Sequence, residues 1–136
     1  MPPTDYEDYR RRLGAGIKRL RSDLPDTLAG FDRLRTGALA GGAIDAKGKE
    51  LIATGIAIAS GCKGCVAFHV HDALRAGARR EEIEEVIGIA VLMAGGPGLM
   101  YGAEALEALD QFEAQARERG QSSEQPAPDA ARVPAS

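Results

Sequence analysis

Tryptophan is absent from this chain of 136 residues, and aromatic side chains make up only 4% of it. A core must therefore be assembled from Ala, Leu, Ile and Val, with glycine at 17 positions letting backbones approach closely. Runs that alternate apolar and polar residues, the mark of half-buried strands, are missing too. These absences predict an all-α body. No apolar stretch reaches the roughly 18–20 residues of a membrane-spanning helix, so no membrane partner is expected. Basic excess is also lacking: the formal net charge is -3, which excludes the positive field that nucleic acid requires. The opening Met1-Pro2-Pro3-Thr4-Asp5 has none of the basic-then-apolar character of a secretory signal, and a cytoplasmic location is the expectation. Cysteine is scarce, with Cys62 and Cys65 alone. In a reducing compartment a close pair serves catalysis or metal binding rather than a permanent staple. No internal repeat is present, and the length suits one domain with a tail.

What is there reads as a single-domain bundle of about six helices. Residues 5–21 carry Leu13, Ile17 and Leu20 on one stripe. Ser22 or Asp23 is placed to cap a second helix with Pro25 in its first turn and Leu28, Phe31 and Leu34 at helical spacing, ending before Gly41-Gly42. Asp45 caps a helix over 46–59, whose part 51–59 is apolar on every side and so calls for burial in the domain or against another subunit. Further helices are predicted over 62–75, 80–94 and 98–118, the last with Leu99, Leu106, Leu109 and Phe112 inward. From Gly120 the composition turns to Gln, Ser, Pro and Ala, which buries too little to stay folded. The organisation is thus an N-terminal helical extension over 1–44, a core over 45–118 and a disordered tail over 119–136. Segments 51–59, 86–93 and 99–109 hold more apolar surface than a small bundle hides, and a homo-oligomer is expected.

The chemistry lies in Gly61-Cys62-Lys63-Gly64-Cys65-Val66-Ala67-Phe68-His69. The two cysteines and the histidine fall at i, i+3 and i+7, on one face of a helix. Two sulfurs so placed can close into a disulfide and reopen, while the imidazole moves protons. A thiol reacts as thiolate, and a helix start favours the charged form, which points to Cys62; a base one turn on, His69, serves Cys65. Glu50 stands twelve residues before Cys62, the last charge before the apolar stretch. On an antiparallel neighbouring helix it would reach the thiols as a partly buried carboxylate able to act as a base. Glu50, Cys62, Cys65 and His69 are therefore the candidate catalytic set. A Cys-x-x-Cys pair also serves as half of a zinc site, but zinc wants four ligands, and His71 lies about 180° round the helix from Cys62. No metal and no cofactor are expected. Asp72 shares a face with Cys65 and is read as an exposed helix carboxylate, and Lys63 as solvated.

Glu50, followed after eleven residues by Cys62-Lys63-Gly64-Cys65 and then His69, resembles the alkylhydroperoxidase D core of the carboxymuconolactone decarboxylase superfamily. Ala73-Leu74-Arg75-Ala76-Gly77-Ala78, Glu81-Glu82-Ile83-Glu84-Glu85 and Gly95-Gly96-Pro97 look like that family too, so the likeness spans about residues 40–112. The resemblance implies an all-helical fold assembled as trimers or hexamers. It implies a peroxide reductase in antioxidant defence, with Cys65 peroxidatic, Cys62 resolving, and Glu50 and His69 relaying protons. The implied partners are a hydroperoxide, a dithiol or lipoyl-type reductant, and a peroxiredoxin. An alternative is a disulfide reductase or redox adaptor serving another protein, docked as cargo through the tail. A well-known member has a histidine between its cysteines where this chain has Gly64. The decarboxylase branch lacks the cysteine pair, so lactone decarboxylation is not expected.

Overall fold

A computed structural model describes residues 2–124, and these form six α-helices with no strand among the described residues. They are α1 (Tyr6–Asp23), α2 (Pro25–Leu39), α3 (Ala46–Ala59), α4 (Lys63–Arg75), α5 (Arg80–Ala94) and α6 (Gly96–Glu124). The all-α expectation is met, and local chemistry sets most boundaries. Asp5 accepts from the Asp8 N–H and Asp45 from the Gly48 N–H, capping α1 and α3. At the start of α5 the Arg79 N–H donates to the Glu82 carboxylate at 3.0 Å. That bond, with Lys47 nearby, holds the Glu82 carboxyl below its ordinary range.

The α1–α2 junction and both ends of the last helix depart from the sequence reading. Neither Ser22 nor Asp23 caps α2: both complete α1, Leu24 stands at the N-cap without a side-chain bond, and Pro25 opens α2. Proline's missing N–H is harmless at a first helical position, so the break falls there. The last helix starts at Gly96 rather than 98 and runs past 118 to Glu124. Gly120 does not stop it, since glycine costs only about 1 kcal/mol in a helix interior. The rest of the expected tail, 125–136, lies outside the described residues.

The core gathers Ile58, Val66, Val70, Ile83 and Leu109, all fully buried, from α3, α4, α5 and α6. Tyr6, 1% exposed, joins it from the first turn of α1, and burial raises its phenol well above the usual range. On α6 the inward stripe is Ala105, Ala108, Leu109 and Phe112, whereas Leu99 and Leu106 are exposed, contrary to expectation. The stripe follows i, i+3, i+4 and i+7, and both leucines fall off it. Close packing makes the small residues the contact side: a Cβ on Gly98 would lie 2.7 Å from the Ala90 carbonyl oxygen.

Apolar residues are also left outside. Segment 51–59 is not buried all round within the chain: Ala57 and Ile58 face inward while Ile52 and Ile56 face out. With Ile89 and Met93 of α5 they border a groove of about 440 Å³. No residue of α2 is fully buried, and Phe31 and Leu34 stay exposed on it. Among the described residues no helix is long and apolar enough to cross a membrane.

Candidate functional site

The turn from α3 to α4 places the thiols. The Gly61 N–H bonds to the Ile58 carbonyl and the Cys62 N–H to the Ala57 carbonyl, the paired closure that ends a helix on a left-handed residue. Gly61 supplies that conformation at φ +69°, and a Cβ there would also meet the Tyr101 ring at 3.1 Å. The residue that completes this closure, Cys62, is at once the N-cap of α4: its Sγ accepts from the Cys65 N–H at 3.2 Å. Cys65 sits one turn on and is exposed. The two are joined as a Cys62–Cys65 disulfide, so the structure holds the pair oxidised.

Helices α3 and α4 form a hairpin across a short turn, which brings Glu50 back alongside α4. Its Oε2 lies 2.8 Å from His69 Nδ1, and Glu50 is only 9% exposed. A buried carboxylate is costly without a partner, and the imidazole is that partner. With Glu50 ionised and the ring neutral, Nδ1–H donates to Oε2, which leaves Nε2 as a proton acceptor. The four residues singled out in the sequence thus occupy one hairpin: a disulfide at its tip and a carboxylate–imidazole pair along its seam.

Above the disulfide opens a cavity of about 880 Å³. Cys62, Gly64, Cys65, Phe68 and His69 of the α4 segment line one side, and apolar side chains of α1 and α2, among them Leu13, Ile17, Phe31 and Leu34, line the other. Two ion pairs hold this roof. Arg21 meets Asp32 through both Nε and Nη2, at 2.9 and 3.0 Å, tying α1 to α2, and Arg35 reaches Asp72 at 3.4 Å, tying α2 to α4. The Arg21 contact holds the Asp32 carboxyl below its usual range. At Gly64 a Cβ would sit 2.9 Å from Leu13 Cδ1, so the α1 roof occupies the space a side chain would need.

Two readings of single residues are corrected. Asp72 is not an exposed carboxylate: its side chain is 24% exposed, contacts His71 and Arg35, and lies within 4.8 Å of the ligand atoms of Glu50 and His69. Lys63 is not simply solvated, since it donates to Thr4 Oγ1 at 3.0 Å and lies over the Tyr6 and Tyr9 rings. The roof and Arg35 are not legible in the sequence, because their placement depends on contacts between distant segments. Asp72 did carry a signal: Cys62, Cys65, His69 and Asp72 run i, i+3, i+7 and i+10 along one face.

The model of the Carboxymuconolactone decarboxylase family matches residues 25–108, more than half of the chain. The chain belongs to this family. The matched stretch contains Glu50, Cys62, Cys65 and His69 and opens at Pro25, so α1 precedes it. A carboxymuconolactone decarboxylase family protein of Legionella pneumophila, of solved structure, shares 41% of its sequence at a TM-score of 0.77, covering 79% of this chain and 96% of that one. An uncharacterized protein of Cupriavidus necator is 38% identical over 111 residues, 82% of this chain and 95% of its own length. Another carboxymuconolactone decarboxylase family protein, from Thermotoga maritima, is described as a candidate participant in an antioxidative response. It superimposes at a TM-score of 0.68 with 24% identity, covering 89% of this chain and 97% of that one, and shows the shared fold.

Proposed function

We propose that this family member is a thiol-dependent hydroperoxide reductase serving antioxidant defence. The observation that carries the reading is the closed Cys62–Cys65 pair on the same α4 face as a Glu50-bound His69, beneath a cavity large enough for a small organic molecule. The candidate antioxidative role of the Thermotoga maritima protein agrees with it. In the reduced chain His69 Nε2 takes the Cys65 thiol proton, and the thiolate so formed attacks one oxygen of ROOH. The S–O bond forms, the O–O bond breaks, and RO⁻ leaves as ROH with a proton from His69. The Cys62 thiol then condenses with the Cys65 sulfenic acid, releasing water and leaving the disulfide. An external dithiol reduces that disulfide by exchange, ending oxidised itself. The sum is ROOH plus dithiol giving ROH, water and a disulfide. Steady-state consumption of an organic hydroperoxide with dihydrolipoamide as reductant is the test. Turnover that saturates in both and stops without the dithiol is expected; no consumption above the dithiol alone would refute the reading.

One observation favours the alternative of a redox adaptor passing electrons to a peroxiredoxin or other partner protein: Gly64 offers no proton carrier between the thiols, and exposed Cys65 is open to a protein disulfide. Faster reduction of a protein disulfide than of any hydroperoxide would select it.

The same proposal includes self-association through the outer α3–α5 face. Ile56, Ile89 and Met93 are 63%, 63% and 76% exposed there, and burying such side chains gives about 1.5–3 kcal/mol each. The wild-type chain is expected to sediment as a trimer or hexamer at micromolar concentration. Ile56→Glu combined with Met93→Glu is expected to yield a folded monomer, because a charge on this face has no partner. An unchanged sedimentation coefficient in the double variant would place the interface elsewhere.

A further inference from the structure

We propose that Glu50, His69 and Asp72 form a site for a divalent transition-metal ion, with Zn²⁺ the best fit, and that the ion switches off the redox site by taking the position of a proton. The regulatory half rests on the peroxide reductase reading; the binding half does not.

The three side chains come from α3 and α4 and offer one ligand atom each, all within 4.8 Å of one another. In a tetrahedral zinc site with bonds of about 2.0–2.1 Å, neighbouring ligand atoms stand about 3.4 Å apart. Glu50 Oε2 and His69 Nδ1, now at 2.8 Å, must part by about 0.6 Å to reach that spacing, and Asp72 must swing inward from its contacts with Arg35 and His71. Its side chain is 24% exposed, which leaves it room to do so. Charge points the same way. Two carboxylates converge here, and the one permanent cation on Asp72 among the described residues, Arg35, is half exposed at 3.4 Å, with His71 Nδ1 at 3.1 Å on the other oxygen. The buried Glu50 carboxylate has a protein partner at Oε2 alone among the described residues. A carboxylate–imidazole–carboxylate set is the donor class of zinc and its neighbours, whereas Mg²⁺ and Ca²⁺ prefer all-oxygen sites. Three protein ligands leave a fourth position for water. The cavity beside His69 gives a way in.

The consequence is specific. With Glu50 ionised and the ring neutral, the proton of this contact lies between Nδ1 and Oε2. An ion bound to both atoms takes that place, and the ring proton moves to Nε2. No proton is lost, but the imidazole now donates where it must accept, and it no longer serves Cys65 as a base.

The test titrates Zn²⁺ into the untagged full-length chain with its disulfide intact, which removes the thiolates as ligands. Calorimetry is expected to show one ion per chain with a micromolar Kd, undisturbed by excess Mg²⁺. Asp72→Asn and His69→Gln should each weaken binding by about 10–100-fold, and Arg35→Gln should tighten it by removing the competing cation. Absence of a one-to-one site, or binding indifferent to both Asp72→Asn and Arg35→Gln, would overturn the proposal. Oxidation of the reduced chain by one equivalent of peroxide, timed in zinc-buffered solution, reads the second half. The zinc concentration that halves the rate should rise in Asp72→Asn by the same factor as Kd. Zinc bound at this site without slowing that oxidation would overturn the regulatory half. A metal-free wild type inert toward peroxide would instead refute the peroxide reductase reading and leave the metal site standing.

Discussion

Cys65→Ser is expected to lower peroxide turnover by about 10³-fold or more, since the attacking atom itself is removed. Cys62→Ser is expected to leave the first oxidation intact and to halt the chain as a long-lived sulfenic acid at Cys65. Two effects compete for the attacking role. Cys62 is the N-cap of α4, and the positive end of the helix favours its thiolate by about 0.3–2 kcal/mol. Cys65 lies one turn from His69 and is exposed to solvent. A positioned base is worth about 10²–10⁴-fold in rate, or roughly 3–5 kcal/mol. The base outweighs the dipole, which assigns attack to Cys65. Serine suits both positions structurally, because at 62 its hydroxyl still caps the Cys65 N–H. Stopped-flow consumption of peroxide, with mass spectrometry after sulfenic acid trapping, reads the outcome. A sulfenic acid trapped at Cys62 in Cys65→Ser, with Cys62→Ser inert, would reverse the assignment in favour of helix-end electrostatics.

The same contrast between local and distant effects explains what the sequence discloses. Asp5, Pro25, Asp45, Gly61, Gly77 and Gly95 act on their own neighbourhoods, so the element order and most helix ends can be read from them. The Cys62, Cys65 and His69 alignment is also internal to one helix and depends on nothing but its period. Glu50 is an intermediate case: its approach to His69 needs only that α3 and α4 fold back on each other, which the short turn at Ser60-Gly61 demands. Beyond one hairpin the reading weakens. That Leu99 and Leu106 turn outward depends on how closely α6 approaches α5, which Gly98 and Ala90 decide. That α1 and α2 roof the thiols depends on Arg21–Asp32 and Arg35–Asp72, and the latter closes a loop of 37 residues. Asp72 follows the same rule: its helix face is legible in the sequence, but its neighbour on another helix, Arg35, is not.

Glu50→Gln is expected to lower peroxide turnover by about 10²–10⁴-fold although it changes one atom of a residue that touches neither sulfur. The substitution acts on the ring rather than through the carboxylate itself. When Glu50 is ionised and the ring neutral, Oε2 accepts the Nδ1–H of His69 across 2.8 Å and Nε2 is left as the proton acceptor. A glutamine amide that donates to Nδ1 enforces the opposite tautomer, with Nε2–H pointing at the reacting groups and no base available. Glu50 is therefore a positioning residue, and its loss should be inseparable from the loss of the ring. Glu50→Gln combined with His69→Gln should be no slower than His69→Gln alone, because groups that act as a unit fail together. Helix content and melting should change little, since the substitution replaces a buried charge by a neutral group of the same shape. The rate of Cys65 alkylation against pH gives the readout that a purely structural role would not move. In the wild type it should rise at lower pH than in either variant, as the base promotes the thiolate. Rate losses that multiply in the double variant, with unshifted alkylation profiles, would show that carboxylate and imidazole work separately and that no relay runs along the α3–α4 seam.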